Sequence, residues 1–295
     1  MRIAEILQKY KNIEIEILLA HVLKKPKEFL YLHAEYKLSQ NQVKKLKLAA
    51  DRRLKGEPVA YILGYKDFMG LRFKVNKYVL IPRPETEVLV EKILNAELKI
   101  RNDRKRLSIL DIGTGSGCIA ISIDKSLQKS GLPATSYQLQ ATDISEQALK
   151  VARKNARNIF SKYSNTSEYW RKAKIRFVKS NLLEKVKGKF DIIVANLPYG
   201  WRGVKNRFSS VRDGLKFEPQ LALYTEERGL KLISQLLQQI KKTYILNSKS
   251  YIFLEFDPRQ KKELAALIKK IIPKARLKFY KDLGGLWRVA EIYIP

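Results

Sequence analysis

The chain has 295 residues, 45% of them hydrophobic, and 59 basic against 29 acidic side chains give a formal net charge of +30. Such a chain can bury one sizeable core and a smaller second one, its single cysteine excludes an internal disulfide, no 18-residue apolar run offers a membrane span, and the N-terminus lacks the long apolar stretch expected of a secretory leader. The first 80 residues carry 17 basic and 8 acidic groups, +9, and the remaining 215 carry +21, an even density that reads as a solvated basic surface and not as a dedicated nucleic-acid patch.

Residues 1 to about 56 read as short helices. Ile13, Ile17, Leu18 and Val22 share one helical face, and Ser39 caps a helix carrying Leu46 and Leu54 that Gly56 ends. His21 and His33 have no carboxylate or cysteine partner at ligand spacing, so no metal site is expected. Tyr65 to Val75, turning near Gly70, reads as a hairpin. The basic stretch 99–106 then leads as a loop into the first core strand, Ser108 to Ile112.

That strand runs into Asp111-Ile-Gly-Thr-Gly-Ser-Gly117, after which Cys118-Ile-Ala-Ile-Ser-Ile begins a helix. Glycines there let the backbone pass close to a ligand at the helix N-terminus. Cys118 reads as a small residue packed beneath that ligand and not as a nucleophile. The next strand, Tyr137 to Thr142, ends in Asp143, 26 residues beyond Gly117, close to the roughly 20 expected of an acidic residue that binds ribose hydroxyls. A nicotinamide dinucleotide uses similar parts, but Cys118 stands where the last glycine of Gly-x-Gly-x-x-Gly belongs, which weakens an oxidoreductase reading.

Lys, Arg, Ser and Asn enrich 157–174, which reads as a surface insertion, and Asn181-Leu182 falls at the end of the third strand. Phe190-Asp-Ile-Ile-Val-Ala195 is apolar without strict alternation, the pattern of a buried parallel strand. Its tip carries Asn196-Leu197-Pro198-Tyr199. Read alone, this is as readily a turn after a strand. The segment 200–225 is long and irregular, a lid or a disordered loop in which Trp201, Arg202 and Lys205 can meet a substrate backbone. Helix 226–241, strand 251–256, helix 258–270 and strands near 274–280 and 287–294 complete a seven-stranded α/β sheet with an antiparallel C-terminal hairpin.

In open α/β sheets ligands bind beyond the carboxyl ends of the strands, which is where Asn196 falls. An amide or exocyclic amine is a weak nucleophile, but its two N–H donors can be held by the Asn196 side-chain oxygen and the Leu197 carbonyl while Tyr199 stacks on the flat group. Two such bonds are worth roughly 1 to 3 kcal/mol net, whereas alignment of reactants contributes about 7 to 11 kcal/mol. Positioning should therefore dominate. Glycine loop, acidic second-strand end and Asn-x-Pro-Tyr together point to S-adenosylmethionine and methyl transfer to a planar nitrogen.

These blocks resemble those of the PrmC/HemK family, the peptide-chain release-factor glutamine N5-methyltransferases, essentially from end to end. Arg52-Arg-Leu-Lys-Gly-Glu-Pro-Val-Ala-Tyr-Ile-Leu-Gly64 resembles the family's interdomain segment. Val79-Leu-Ile-Pro-Arg-Pro-Glu-Thr-Glu87 is similar to the block before its catalytic core, and Phe217-Glu-Pro-Gln-Leu-Ala-Leu223 to the segment after its catalytic loop. The resemblance implies a class I methyltransferase fold, a Rossmann-like seven-stranded sheet, with a helical partner-recognition domain at 1–60, a linking β-hairpin at 61–82 and the S-adenosylmethionine-dependent domain at 83–295. It implies the glutamine of the Gly-Gly-Gln loop in class I release factors as substrate and a cytoplasmic monomer, to which the basic surface adds scope for weak contact with RNA or the ribosome.

Carried over by position, Gly113, Thr114, Gly115, Ser116, Gly117, Asp143, Asn181, Leu182 and Asn196 hold the cofactor. Asn196, Leu197, Pro198 and Tyr199 hold the glutamine amide, with Asn196, Pro198 and Tyr199 the catalytic set. Glu85 and Thr86 lie near the cofactor mouth, and Arg83 in the same block is a further candidate site residue. The chain departs from the family at Leu197, where proline is usual, at Asn181-Leu182, where an acidic and an aromatic residue are common, and at Glu255-Phe-Asp-Pro-Arg-Gln260, where a glycine is common. Leu197 and the positive charge also suit an adenine N6-methyltransferase for RNA or DNA. The same glycine loop and sheet would serve a ribosomal-protein glutamine methyltransferase or a non-catalytic cofactor-binding protein.

Overall fold

The computed structural model describes all residues except 12, 101–105, 134, 162–174, 202–213 and 244. The chain divides into two compact units, residues 1–65 with a short segment ending at Phe217, and the remainder from Lys66.

The first unit is helical: α1 (Ile3–Tyr10), α2 (Ile13–Leu23), α3 (Lys27–Leu32), α4 (Gln40–Leu54) and α5 (Val59–Leu63). Ser39 caps α4 in a reciprocal box, its hydroxyl accepting from the Gln42 amide at 3.2 Å while its own amide donates to Gln42 Oε1 at 2.9 Å. The core joins Ile3 and Ile6 of α1 to Ile15, Leu18, Leu19 and Leu23 of α2, Leu30 of α3 and Leu46 and Ala50 of α4. The buried face of α2 thus differs from the expected one, since Ile17 and Val22 are only half-buried. Its sequence is apolar nearly all round, so periodicity could not choose the face and packing did.

The hairpin β1 (Tyr65–Phe68) and β2 (Leu71–Lys74) starts at the boundary, with all but Tyr65 in the second unit. Met69 and Gly70 between them have φ of 49° and 70°, as a two-residue type I′ turn requires. Then follow α6 (Thr86–Ile100), β3 (Leu107–Ile112), α7 (Cys118–Lys129), β4 (Tyr137–Asp143), α8 (Glu146–Ser161), β5 (Ile175–Lys179) and β6 (Phe190–Ala195). After three short 3-10 turns come α9 (Lys231–Thr243), β7 (Leu246–Glu255), α10 (Lys261–Ile271), β8 (Arg276–Lys281) and β9 (Trp287–Ile294).

The seven strands lie in the order β5-β4-β3-β6-β7-β9-β8. β3 to β7 are mutually parallel, and β9 runs antiparallel to both β7 and β8. Side chains alternate across the sheet. Ile109, Ile192 and Val194 pack with Leu89, Ile93, Ile119 and Ile123 on one face, while Leu110, Ile193 and Ala195 pack with Leu236, Leu237, Leu264 and Ile268 on the other. Ile192, Ile193 and Val194 are fully buried, each contributing about 1.5–3 kcal/mol by burial.

Two boundaries differ from expectation. β7 begins at Leu246, five residues early, because the polar Asn247-Ser248-Lys249-Ser250 joins the sheet through an irregularity opposite Phe190 and Ile192. The helix expected from 226 begins at Lys231, because Glu227, Arg228 and Gly229 all have positive φ.

Chain order reverses at β3, which pairs with β4 on one side and β6 on the other. This is the switch point at which a crevice opens beyond the strand ends. Ile112 is in register with Ala195, so the glycine loop and Asn196 leave the sheet side by side.

Candidate functional site

Gly113, Gly115 and Gly117 have φ of 73°, 55° and 82°, a region that other residues rarely enter. At Gly117 a side chain is excluded twice over: a Cβ there would lie 2.9 Å from Ile121 Cδ1 and 3.1 Å from the Ala152 Cβ. Thr114 ties the loop down, its hydroxyl donating to Asp111 Oδ2 at 2.6 Å and its amide to the Thr142 carbonyl at 2.8 Å. Ser116 is buried, and its carbonyl accepts from Asn155 Nδ2 at 2.9 Å. Asn155, fully buried in α8, also pairs with both the amide and the carbonyl of Lys74 at 2.7 and 3.0 Å. One side chain thus joins hairpin, helix and loop.

Asp143 accepts from the Gly115 amide through Oδ2 at 2.9 Å and from the Ser145 amide through Oδ1 at 2.8 Å. Burial raises its pKa, and those amides oppose the rise. Each carboxylate oxygen keeps a lone pair for a vicinal diol. Left-handed glycines at the start of α7 and an oriented carboxylate at the end of β4 fit a nucleoside-bearing ligand such as S-adenosylmethionine.

Asp111, inside the apolar run of β3, is fully buried, and burial pushes its carboxyl up to about 7 from the ordinary 3.8. A carboxyl that holds its proton more tightly when folded stabilises the fold fully below its unfolded pKa, and that contribution is lost as pH rises through the folded pKa. Asp111→Asn abolishes this titration, so its Tm relative to the native protein is expected to shift upward between pH 5 and pH 8. Thermal unfolding of both proteins across that range checks it; a difference independent of pH would assign the titration elsewhere. Burial likewise pushes the Cys118 thiol up to about 12, so it is a packed, unreactive group.

At the tip of β6, Asn196 is half-buried and its Nδ2 donates to the Thr86 hydroxyl at 3.2 Å. Leu197 turns inward, 5% exposed, with Cδ2 3.1 Å from where a Cβ on Gly113 would stand. Its side chain therefore supports the glycine loop and does not face a substrate. Pro198 and Tyr199 are half-buried. The Tyr199 hydroxyl donates to Glu255 Oε1 at 3.0 Å, and burial followed by the neighbouring carboxylate raises this phenol well above its ordinary range. The Tyr199 carbonyl accepts from Gln260 Nε2 at 3.0 Å. A Cβ on Gly229 would come within 1.9 Å of that carbonyl, so only glycine lets the 3-10 turn pass so close.

Arg83 is buried, and its Nη2 reaches Glu218 Oε1 at 2.6 Å, while Glu218 Oε2 accepts from the Ile81 amide at 3.0 Å. Glu85 is half-buried, and its Oε2 has no partner among the described residues. Thr86, at the start of α6, meets Asn196 directly. Asn181 is exposed and its amide donates to Glu184 at 2.7 Å. Leu182 is 7% exposed and holds a φ of 47°. Trp201 lies 4.3 Å from the guanidinium carbon of Arg259, which grips Asp257 through two bonds of 2.7 Å. Arg202 and Lys205 lie outside the described residues.

The structure thus gathers the glycine loop, Asp143, Asn196, Leu197 and Thr86 at one sheet edge, while Asn181 turns to its near neighbour Glu184. Sequence reading missed Asp111, Glu218, Glu255 and Gln260. A lone carboxylate within an apolar strand, as at Asp111 and Glu255, was the available signal, since such a group is buried only with partners.

Residues 4–64 match the family model described as the PrmC N-terminal domain, and residues 85–209 the model described as the Methyltransferase small domain. Over 276 residues the chain is 35% identical to a release factor glutamine methyltransferase of Buchnera aphidicola subsp. Schizaphis graminum, covering 94% of this chain and 90% of that one. It is also 35% identical over 279 residues to a bifunctional methyltransferase of Rickettsia bellii, covering 87% of this chain and 46% of that one, so it spans about half the length of that relative. Among solved structures, the hMettl16 catalytic domain in complex with MAT2A 3'UTR hairpin 1 superposes with a TM-score of 0.56 at 16% identity over 94% of this chain and 91% of that one, a likeness of fold. The seven-stranded sheet is that of a class I methyltransferase, and the chain belongs to the family of release factor glutamine methyltransferases.

Proposed function

We propose that this protein transfers a methyl group from S-adenosylmethionine to the side-chain amide nitrogen, N5, of the glutamine in the Gly-Gly-Gln loop of class I peptide chain release factors. The observation that carries this reading is the Asn196 amide. Its Nδ2 is engaged inward by Thr86, which leaves Oδ1 as an acceptor at the crevice beside the glycine loop. An acceptor there suits an NH2 group, which offers two donors. S-adenosylmethionine supplies an electrophilic methyl when bound, and Gly113 to Gly117 with Asp143 are the residues to hold it. Asn196 and the Leu197 carbonyl hold the substrate amide, and Tyr199 with Pro198 bounds its flat face. No residue need act as a strong base, since alignment alone contributes about 7 to 11 kcal/mol and the amide proton leaves to water after the transfer.

Leu197 gives no support to an adenine substrate, because its side chain is buried against the glycine loop. We assign partner recognition to the helical domain, 1–60, joined by the linker, 61–82, to the catalytic domain, 83–295. The protein acts as a monomer in the cytoplasm, and its net charge of +30 adds a salt-sensitive attraction to RNA or the ribosome. No helix among the described residues is long and apolar enough to cross a membrane.

The test is transfer of labelled methyl from S-adenosylmethionine to the organism's own release factor, beside a factor whose Gly-Gly-Gln glutamine is alanine and beside bulk RNA. Label on the native factor alone is expected. Label on RNA, or on none of the three, would replace this reading with the adenine enzyme or the non-catalytic binding protein.

A further inference from the structure

Asn155 lies wholly inside the second unit and is assigned to neither cofactor nor substrate. On the buried face of α8 its neighbours Ala148, Ala152 and Ile159 are apolar, and Asn155 among them is 0% exposed. A buried amide must find partners, and this one finds them in two other elements. Its Oδ1 accepts from the Lys74 amide at 2.7 Å, and its Nδ2 donates to the Lys74 carbonyl at 3.0 Å and to the Ser116 carbonyl at 2.9 Å. The side chain thus meets the end of β2 as a neighbouring strand would, and both of its protons are taken.

The Ser116–Gly117 peptide is the part of the glycine loop that this arrangement controls. Its carbonyl is taken by Asn155, and its amide, on Gly117, donates to the Thr114 carbonyl at 2.8 Å. A peptide group is planar, so a partner at each end fixes its rotation. Gly117, with φ of 82° and no Cβ, puts little restraint of its own on that rotation. The absent Cβ also lets α8 come this near: it would lie 3.1 Å from the Ala152 Cβ, and Ala152 and Asn155, three residues apart, share a helix face. Glycine and alanine set the distance, and the amide sets the orientation.

We infer that Asn155 is a positioning residue for the cofactor site: it holds the Ser116–Gly117 peptide in one orientation and ties it to the last residue of β2, so that the hairpin and the glycine loop keep or lose their shape together. This role rests on the reading of Gly113 to Gly117 and Asp143 as the residues that hold S-adenosylmethionine.

Asn155→Leu keeps the size of the side chain and removes both donors. It is expected to raise the S-adenosylmethionine Kd about tenfold or more, measured by calorimetric titration well below its Tm. Ile159→Ala opens a cavity on the same helix face and removes no partner of either carbonyl, so it is expected to lower Tm but leave that Kd within about twofold. Equal losses of affinity in the two variants, or an unchanged Kd in Asn155→Leu, would overturn the inference. Asp143→Ala separates this role from the reading beneath it. An unchanged Kd there would sink the cofactor reading and this role with it, whereas a raised Kd there beside an unchanged one in Asn155→Leu would sink the role of Asn155 alone.

A second readout starts from the native protein. The Lys74 amide, which bonds Asn155, is expected to exchange with solvent at least about fivefold more slowly when S-adenosylmethionine is bound, because loop and hairpin share that side chain. The slowing is expected to vanish in Asn155→Leu. A native Lys74 amide that exchanges at one rate with and without the cofactor, or slowing that persists in full in Asn155→Leu, would refute the coupling.

Discussion

Asn196→Ala is expected to lower kcat for release-factor methylation by about 1000-fold while leaving the Kd for S-adenosylmethionine within about twofold. The loss follows from the role proposed for the side chain, in which its oxygen accepts from the substrate amide, and loss of one oriented polar group in a site costs about 100- to 1000-fold. In that proposal the same group also sets the direction of the nucleophile, which places the effect at the upper end, about 4 kcal/mol. The fold should not suffer. Asn196 lies one residue beyond Ala195, whose pairing with Ile112 is made by the backbone, and the truncation removes one half-buried bond, that to Thr86. Single-turnover methyl transfer with calorimetric titration of the cofactor separates the two quantities. Normal turnover in the variant would remove Asn196 from the clamp.

The second large effect is on stability. Glu218→Ala is expected to destabilise the protein by about 3–5 kcal/mol, because removing one partner of a buried ion pair leaves the other charge without compensation. The Glu218 side chain is fully buried and that of Arg83 is 10% exposed. Arg83 Nη1 already has no partner among the described residues, and the Ile81 amide loses its acceptor as well. Glu218→Gln keeps an acceptor for Ile81 and should cost clearly less. Denaturant unfolding compares the three proteins, and a loss below about 1 kcal/mol in Glu218→Ala would show that the pair contributes little.

This pair also explains why two strings far apart in the chain belong together. Ile81-Pro-Arg-Pro-Glu-Thr-Glu87 and Phe217-Glu-Pro-Gln220 are each recognisable in the sequence, but nothing in either string names the other. In the fold, Arg83 and Glu218 are 135 residues apart along the chain and share a hydrogen bond. Thr86, from the first string, reaches 110 residues forward to Asn196. The block before the core strands thus fastens both the clamp and the segment that follows it.

The features legible in the sequence are those with local causes. Left-handed φ at Gly113, Gly115 and Gly117 marks a loop through residue type, the apolar run 190–195 marks a buried strand, and Asn196 falls at its tip by counting. The Met69-Gly70 turn and the Ser39 cap follow from the conformational preferences of two to four consecutive residues. Tertiary structure decided the rest. Strand order placed Ile112 beside Ala195 and so Gly113 beside Leu197, packing chose the buried face of α2, and Tyr199 found Glu255 across 56 residues. The physical reason is common to all three. A buried polar or apolar group must find a partner, which its own surroundings in the chain announce, but which partner it finds depends on the geometry that the sheet imposes once folded.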